Sequence, residues 1–184
     1  MKNIILTGER GIGKSSVIKS FIEKINEERE NEHIYGFCTK KVCSKNPHNC
    51  FDKVYIYPVN NQLIPREEFC VADINKEGSF KLHKNVFEEI GCSLLSNIPK
   101  GSIVCMDELG FIESTCENFC EFVMNILDKD YFTLAVIKNK STTFLDDIRN
   151  HDKTLLITVD EKNRSKLPLQ IYNLYCSMKI EGCP

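Results

Sequence analysis

Residues 3–16, NIILTGERGIGKSS, leave this chain few ways to fold. NIILT is a short, continuous apolar run, as suits a strand buried on both faces of a parallel sheet. Gly8, Gly11 and Gly13 follow at once, and then Lys14 and Ser15. From Lys14 to about Arg29, the residues Val17, Ile18, Phe21, Ile22 and Ile25 recur on one helical face. Gly8, Gly13, Lys14 and Ser15 complete the pattern G-x-x-x-x-G-K-[ST] between a strand and a helix. In that setting glycines let successive backbone N–H groups turn inward toward phosphate oxygens, and the helix N-terminus adds partial positive charge. Lysine reaches the β- and γ-phosphates, and a small hydroxyl ligates Mg²⁺ beside them. The candidate nucleotide-binding residues are therefore Gly8, Glu9, Arg10, Gly11, Ile12, Gly13, Lys14, Ser15 and Ser16. A dinucleotide-type turn does not fit, because these glycines do not space as G-x-G-x-x-G.

A nucleotide held this way needs its metal gripped from a second strand. SIVCMDELG supplies that strand, an apolar run ending in Asp107 and Glu108. Asp107, with Ser15, is the candidate metal-orienting residue. Glu108 is the candidate that polarises a water for attack on the γ-phosphate, since water is a poor nucleophile until oriented and partly deprotonated. Lys14 and Asp107 lie 93 positions apart, too far for one crossover helix. At least one further strand is expected between the two nucleotide strands. Phosphoryl charge also favours an arginine, and the chain has only five: Arg10, Arg29, Arg66, Arg149 and Arg164. Arg10 is inside the loop. Arg164 follows the last core strand, at the edge of the sheet where ligands collect, and is the third candidate catalytic residue with Glu108 and Lys14. Arg29 reads as solvated helix surface.

The remaining pattern is α/β. Residues 34–43 and 51–59, separated by SKNPHNC, predict a hairpin. EGSFKLH predicts a short strand, and Asn85 with Glu88 a helix start. Ser114 with Glu117 predicts the start of a helix carrying Cys116 and Cys120. YFTLAVI and TLLITV are strands flanking a helix at TTFLDDIRN, and a last helix runs from about Pro168 to Met178. Alternating strands and helices imply a mostly parallel sheet covered on both faces, in a single domain over residues 1–184.

Composition narrows the function classes. With 184 residues, 42% hydrophobic and 27% charged, and a net charge of −2, the chain lacks the basic excess of a nucleic-acid binder. No run approaches the ~20 apolar residues of a membrane span, and a cytoplasmic monomer acting on a nucleoside triphosphate is expected. The ten cysteines include no C-x-x-C pair, and the cluster Cys38, Cys43, His48, Cys50 matches no common zinc spacing. They read as reduced thiols.

The chain resembles the small P-loop nucleoside-triphosphatases of the thermophile type, the group that includes the cancer-related nucleoside-triphosphatase. The likeness rests on GERGIGKSS, on GFCTKKV (36–42) against a G-F-x-T-x-x-V strand, on VCMDELGFIES (104–114) against D-E-[IL]-G-x-[MI]-E, and on the late pair Asn163–Arg164. The resemblance implies a RecA-like three-layer sheet with an inserted β-hairpin. It also implies a slow, Mg²⁺-dependent hydrolase of broad base specificity that releases diphosphate and phosphate. One departure is plain: KKVCSKNPHNCFDKV has neither the arginines nor the glycines of the family's V-R-x-x-G-x-R-x-G-F hairpin. A P-loop kinase is the alternative, but it needs an acceptor site and an arginine-bearing lid, and no arginines cluster. A guanine-nucleotide switch would need N-K-x-D, and the nearest string, NKST (139–142), lacks the aspartate.

Overall fold

The computed structural model describes residues 2–29, 32–44, 51–61 and 64–181. In chain order the elements are β1 (Asn3–Thr7), α1 (Lys14–Glu28), β2 (Ile34–Val42), β3 (Phe51–Pro58), β4 (Cys70–Asn75), β5 (Phe80–Leu82) and α2 (84–94). They continue with β6 (Ile103–Leu109), α3 (Glu117–Asp128), β7 (Phe132–Ile137), α4 (Thr143–Asn150), β8 (Thr154–Thr158) and α5 (Leu167–Glu181).

All eight strands join one sheet in the order β5-β4-β3-β2-β6-β7-β1-β8. The five strands β2, β6, β7, β1 and β8 are parallel, and β3, β4 and β5 extend them antiparallel. β7 lies between the two candidate nucleotide strands β1 and β6, as the spacing of the motifs requires.

Alternation along the strands makes two cores, one on each face. Ile4 and Leu6 of β1 pack with Val17, Ile18, Phe21 and Ile25 of α1 and with Ile171 and Tyr175 of α5. Ile5, one residue out of phase, packs on the opposite face with Phe37, Met106, Phe119, Val123 and Leu145. The result is three layers. Phe21, Phe132 and Tyr175 stack edge and face at centroid distances of 5.0–6.4 Å and join α1 to α5 across β7.

β2 and β6 approach unusually closely. Gly36 pairs with Cys105 and has φ +108°, and a Cβ there would lie 2.0 Å from the Cys105 carbonyl oxygen. Only glycine fits, which accounts for the first residue of GFCTKKV.

Several local expectations need correction. β4 was not anticipated, because FCVADIN mixes apolar, acidic and amide residues without a clean period of two. α2 begins at Lys84 after His83, not at Asn85, and it contains a π turn over Phe87–Gly91. Ser114 does not cap α3. It lies in a 3₁₀ turn, Glu113–Thr115, with its hydroxyl bonded to the Gly110 carbonyl and to Thr142, and Cys116 stands at the N-cap instead. Arg29 is not merely solvated: it donates to Cys176 Sγ at 3.2 Å, tying α1 to α5. Of the Cys38/Cys43/His48/Cys50 cluster, His48 and Cys50 lie outside the described residues.

Candidate active site

The C-terminal ends of β1, β6, β7 and β8 meet at one edge of the sheet, where an open α/β fold places its ligands. Residues 8–13 turn there between β1 and α1, with positive φ at Gly8, Gly11 and Gly13. Gly8 is required by a neighbour as well as by its φ: a Cβ would stand 2.6 Å from the Val159 carbonyl oxygen, at the end of β8. The first bond into α1 runs from the Val17 N–H to the Gly13 carbonyl, so the N–H groups of residues 14–16 have no intrahelical partner. They face outward at the loop, where an anion is favoured.

Lys14 is buried, and its Nζ donates to the carbonyls of Gly8 (3.0 Å) and Glu9 (2.9 Å). That pose holds the ammonium across the mouth of the loop, 4.0 Å from Glu108 Oε1. Ser15 Oγ donates to Asp107 Oδ1 at 3.1 Å. The two sequence motifs thus converge on one point. Burial pushes the Asp107 carboxyl up to about 6, with the Glu108 charge adding to the rise and Ser15 and Lys14 opposing it. A hydroxyl and a carboxylate side by side are hard oxygen donors of the kind Mg²⁺ takes, and a buried carboxyl that resists ionisation gains from a cation. The pair fits the expected ion.

Glu108 is aimed by an irregularity in β6. Met106 pairs with Ala135 and Leu109 with Ile137, so the register shifts between them. The Glu108 N–H donates to Thr39 Oγ1 of β2 at 3.4 Å, and its Oε2 lies 4.0 Å from Lys138 Nζ. Glu108 therefore sits between two ammonium groups, Lys14 and Lys138. Arg164 reaches over the loop: its Nη1 donates to the Ile12 carbonyl at 3.3 Å, and its aliphatic stem lies against Gly13. Asn163 has a local role, accepting from the Asp160 N–H and donating to the Thr158 carbonyl after β8. Arg10 and Glu9 are exposed at the rim.

Three residues at this edge were not picked out by sequence reasoning. Thr39 lies inside GFCTKKV and meets Glu108 only because β2 pairs with β6. Lys138 follows the last residue of β7, and a basic residue just past the end of a buried strand was the available signal. Glu113 is buried and accepts the Gly110 N–H at 2.9 Å; burial pushes its carboxyl up, against the opposing charge of Lys138. Gly110 lies between the two, since a Cβ there would come 2.9 Å from the Lys138 stem and 3.1 Å from Glu113 Oε2. Glu113 and Gly110 so fix the turn that follows Glu108.

Residues 3–172 match the family model described as NTPase. Nucleoside-triphosphatase THEP1 of Natranaerobius thermophilus is 29% identical over 170 residues, covering 90% of this chain and 92% of that protein. The cancer-related nucleoside-triphosphatase homolog of Mus musculus is 24% identical, with 90% and 92% covered. Among solved structures, THEP1 from the hyperthermophile Aquifex aeolicus superposes with a TM-score of 0.72 at 21% identity over 94% of this chain and 98% of that one. The human cancer-related nucleoside triphosphatase gives 0.69, also at 21% identity, over 96% and 98%. At that identity the structural likeness speaks to the fold, an α/β P-loop sheet.

Proposed function

This chain belongs to the NTPase family, and on that premise we propose that it hydrolyses nucleoside triphosphates to diphosphate and phosphate, slowly, with Mg²⁺ and with broad tolerance of the base. The observation that carries the reading is the meeting of Ser15 with Asp107 and of Lys14 with Glu108, from motifs 93 positions apart. The relatives' name, nucleoside-triphosphatase, specifies no single base.

In this reading the N–H groups at the start of α1 and the Lys14 ammonium bind the β- and γ-phosphates. Ser15 and Asp107 hold Mg²⁺, which when bound neutralises charge on the phosphate oxygens. Glu108 accepts a proton from water as the water oxygen forms its bond to the γ-phosphorus. The bond from that phosphorus to the bridging oxygen breaks, and the diphosphate leaves with the electron pair. Arg164, already across Gly13, stabilises charge on the transferring group. The kinase alternative is not favoured, because the family and the relatives it matches are nucleoside-triphosphatases.

The same proposal takes the chain as a single-domain monomer of the cytoplasm. Its net charge of −2 speaks against nucleic acid, and among the described residues no helix is long and apolar enough to cross a membrane. The test is phosphate release from each NTP with Mg²⁺, with and without candidate acceptors. Acceptor-independent release, lost in Lys14→Ala and strongly reduced in Glu108→Gln, is expected. Normal hydrolysis by Glu108→Gln overturns the assignment of the base, and transfer only to an added acceptor overturns the hydrolase.

A further inference from the structure

We propose that Cys70, Asp73 and His83 form a binding site for a zinc-class divalent ion on the antiparallel extension of the sheet. One ligand atom from each residue lies within 4.8 Å of the others. Cys70 Sγ is 3.9 Å from Asp73 Oδ1, and His83 Nε2 is 2.8 Å from Asp73 Oδ2. Tetrahedral zinc, at ~2.0–2.3 Å from N, O and S ligands, holds those ligands roughly 3.3–3.8 Å apart. The sulfur stands near that spacing from Oδ1 and the imidazole about half an ångström inside it from Oδ2, so turning the Asp73 carboxylate brings one oxygen toward both.

The backbone assembles these residues against the usual rule. Two residues three apart on a strand point to opposite faces. Here Lys53 pairs with Asp73, Val54 with Ala72 and Tyr55 with Cys70, so β4 carries Val71 as an extra residue opposite β3. The bulge turns Cys70 and Asp73 to one face while Val71 enters the core. Ala72 and Asp73 pair with Leu82 and Lys81 of β5, and the His83 N–H donates to the Val71 carbonyl at 2.9 Å. His83 is thereby anchored at the bulge itself.

The donor set selects the ion. A thiol beside imidazole and carboxylate suits zinc or cobalt, whereas Mg²⁺ and Ca²⁺ take oxygen. Cys70 is 3% exposed, Asp73 18% and His83 29%, which leaves a solvent side for a fourth, water ligand. Binding exchanges the Cys70 thiol proton for the metal: the S–H bond breaks, a sulfur–metal bond forms and one proton is released. The competitor present is Lys53, whose Nζ lies 3.2 Å from Asp73 Oδ1 and 2.7 Å from Glu67 Oε2. An entering ion displaces it from Asp73, and Glu67 still holds it. Four strands separate β4 from β1, about 24 Å at the usual strand spacing, so this site is independent of the phosphate loop.

The probe is Co²⁺ added to the full chain after chelator treatment and desalting. One equivalent should bind with a thiolate-to-cobalt charge-transfer band and be displaced by Zn²⁺. Cys70→Ser should lose the band. His83→Ala should weaken binding by at least the ~10–100-fold that loss of an outer partner costs. Both variants should keep wild-type phosphate release, and Cys43→Ser should keep the band. No band in the wild-type chain, or a band that survives Cys70→Ser, overturns the site. If Cys70→Ser does not fold, Lys53→Met decides, because it keeps all three ligands and removes the competitor. Binding several-fold tighter supports the site, and unchanged or weaker binding overturns it.

Discussion

Asp107→Asn should make the metal-free protein more stable at neutral pH while impairing hydrolysis. The Asp107 carboxyl titrates near 6 in the fold against the ordinary aspartate value of 3.8, first of all because it is buried. At ~1.4 kcal/mol per pH unit, keeping it ionised in the folded chain costs about 3 kcal/mol. Below pH ~3.8 the carboxyl is protonated in both states and the cost is absent. As pH rises toward ~6 the unfolded chain gives up the proton first, the native state binds more protons, and stability falls. Above ~6 the full penalty remains. Asparagine has the same shape and no charge, but its amide N–H₂ replaces an acceptor and an unpaired donor costs ~1–2 kcal/mol. The expected net gain near neutral pH is ~1–2 kcal/mol, or about 2–8 °C in Tm for a chain of this size. The cleaner quantity is the difference in unfolding free energy between variant and wild type, measured by urea titration in chelator across pH. It should grow by about 2.4 kcal/mol from pH ~4 to ~7, whatever its starting offset. A difference that is flat with pH, or that shrinks, refutes the assignment of the penalty to Asp107.

Other outcomes follow from single contacts. Gly36→Ala places a Cβ 2.0 Å from the Cys105 carbonyl at φ +108° and should cost more than ~3 kcal/mol by chemical denaturation, or prevent folding. Tyr131→Phe removes a buried hydroxyl that donates to the Ile98 carbonyl at 2.8 Å and should cost ~1–2 kcal/mol by the same method. Arg164→Ala should lower kcat for phosphate release by at least about tenfold with its melting temperature little changed. Unaltered kcat would reduce Arg164 to a brace on the Ile12 carbonyl. Lys138→Met should also lower kcat, because it removes one of the two cations that hold the Glu108 carboxylate in place; the KM should move less than the kcat.

The phosphate loop was legible in the sequence because its conformation is local. Glycines at 8, 11 and 13 set the turn, the apolar period sets α1, and both act over a few residues. The parallel sheet was legible for the same reason, since period and apolar runs alternate along the chain. Even the strand between β1 and β6 followed from the length of the connection. What lies across the sheet was not legible. β4 was missed because its pairing with β3 and β5, not its composition, makes it a strand. Thr39 and Lys138 join Glu108 only through strand order and the register shift in β6. Cys70, Asp73 and His83 share a face only because of the bulge at Val71. Sequence pattern records each residue's own backbone preference and burial. Which side chains meet is decided by register and strand order, set by packing between residues tens of positions apart.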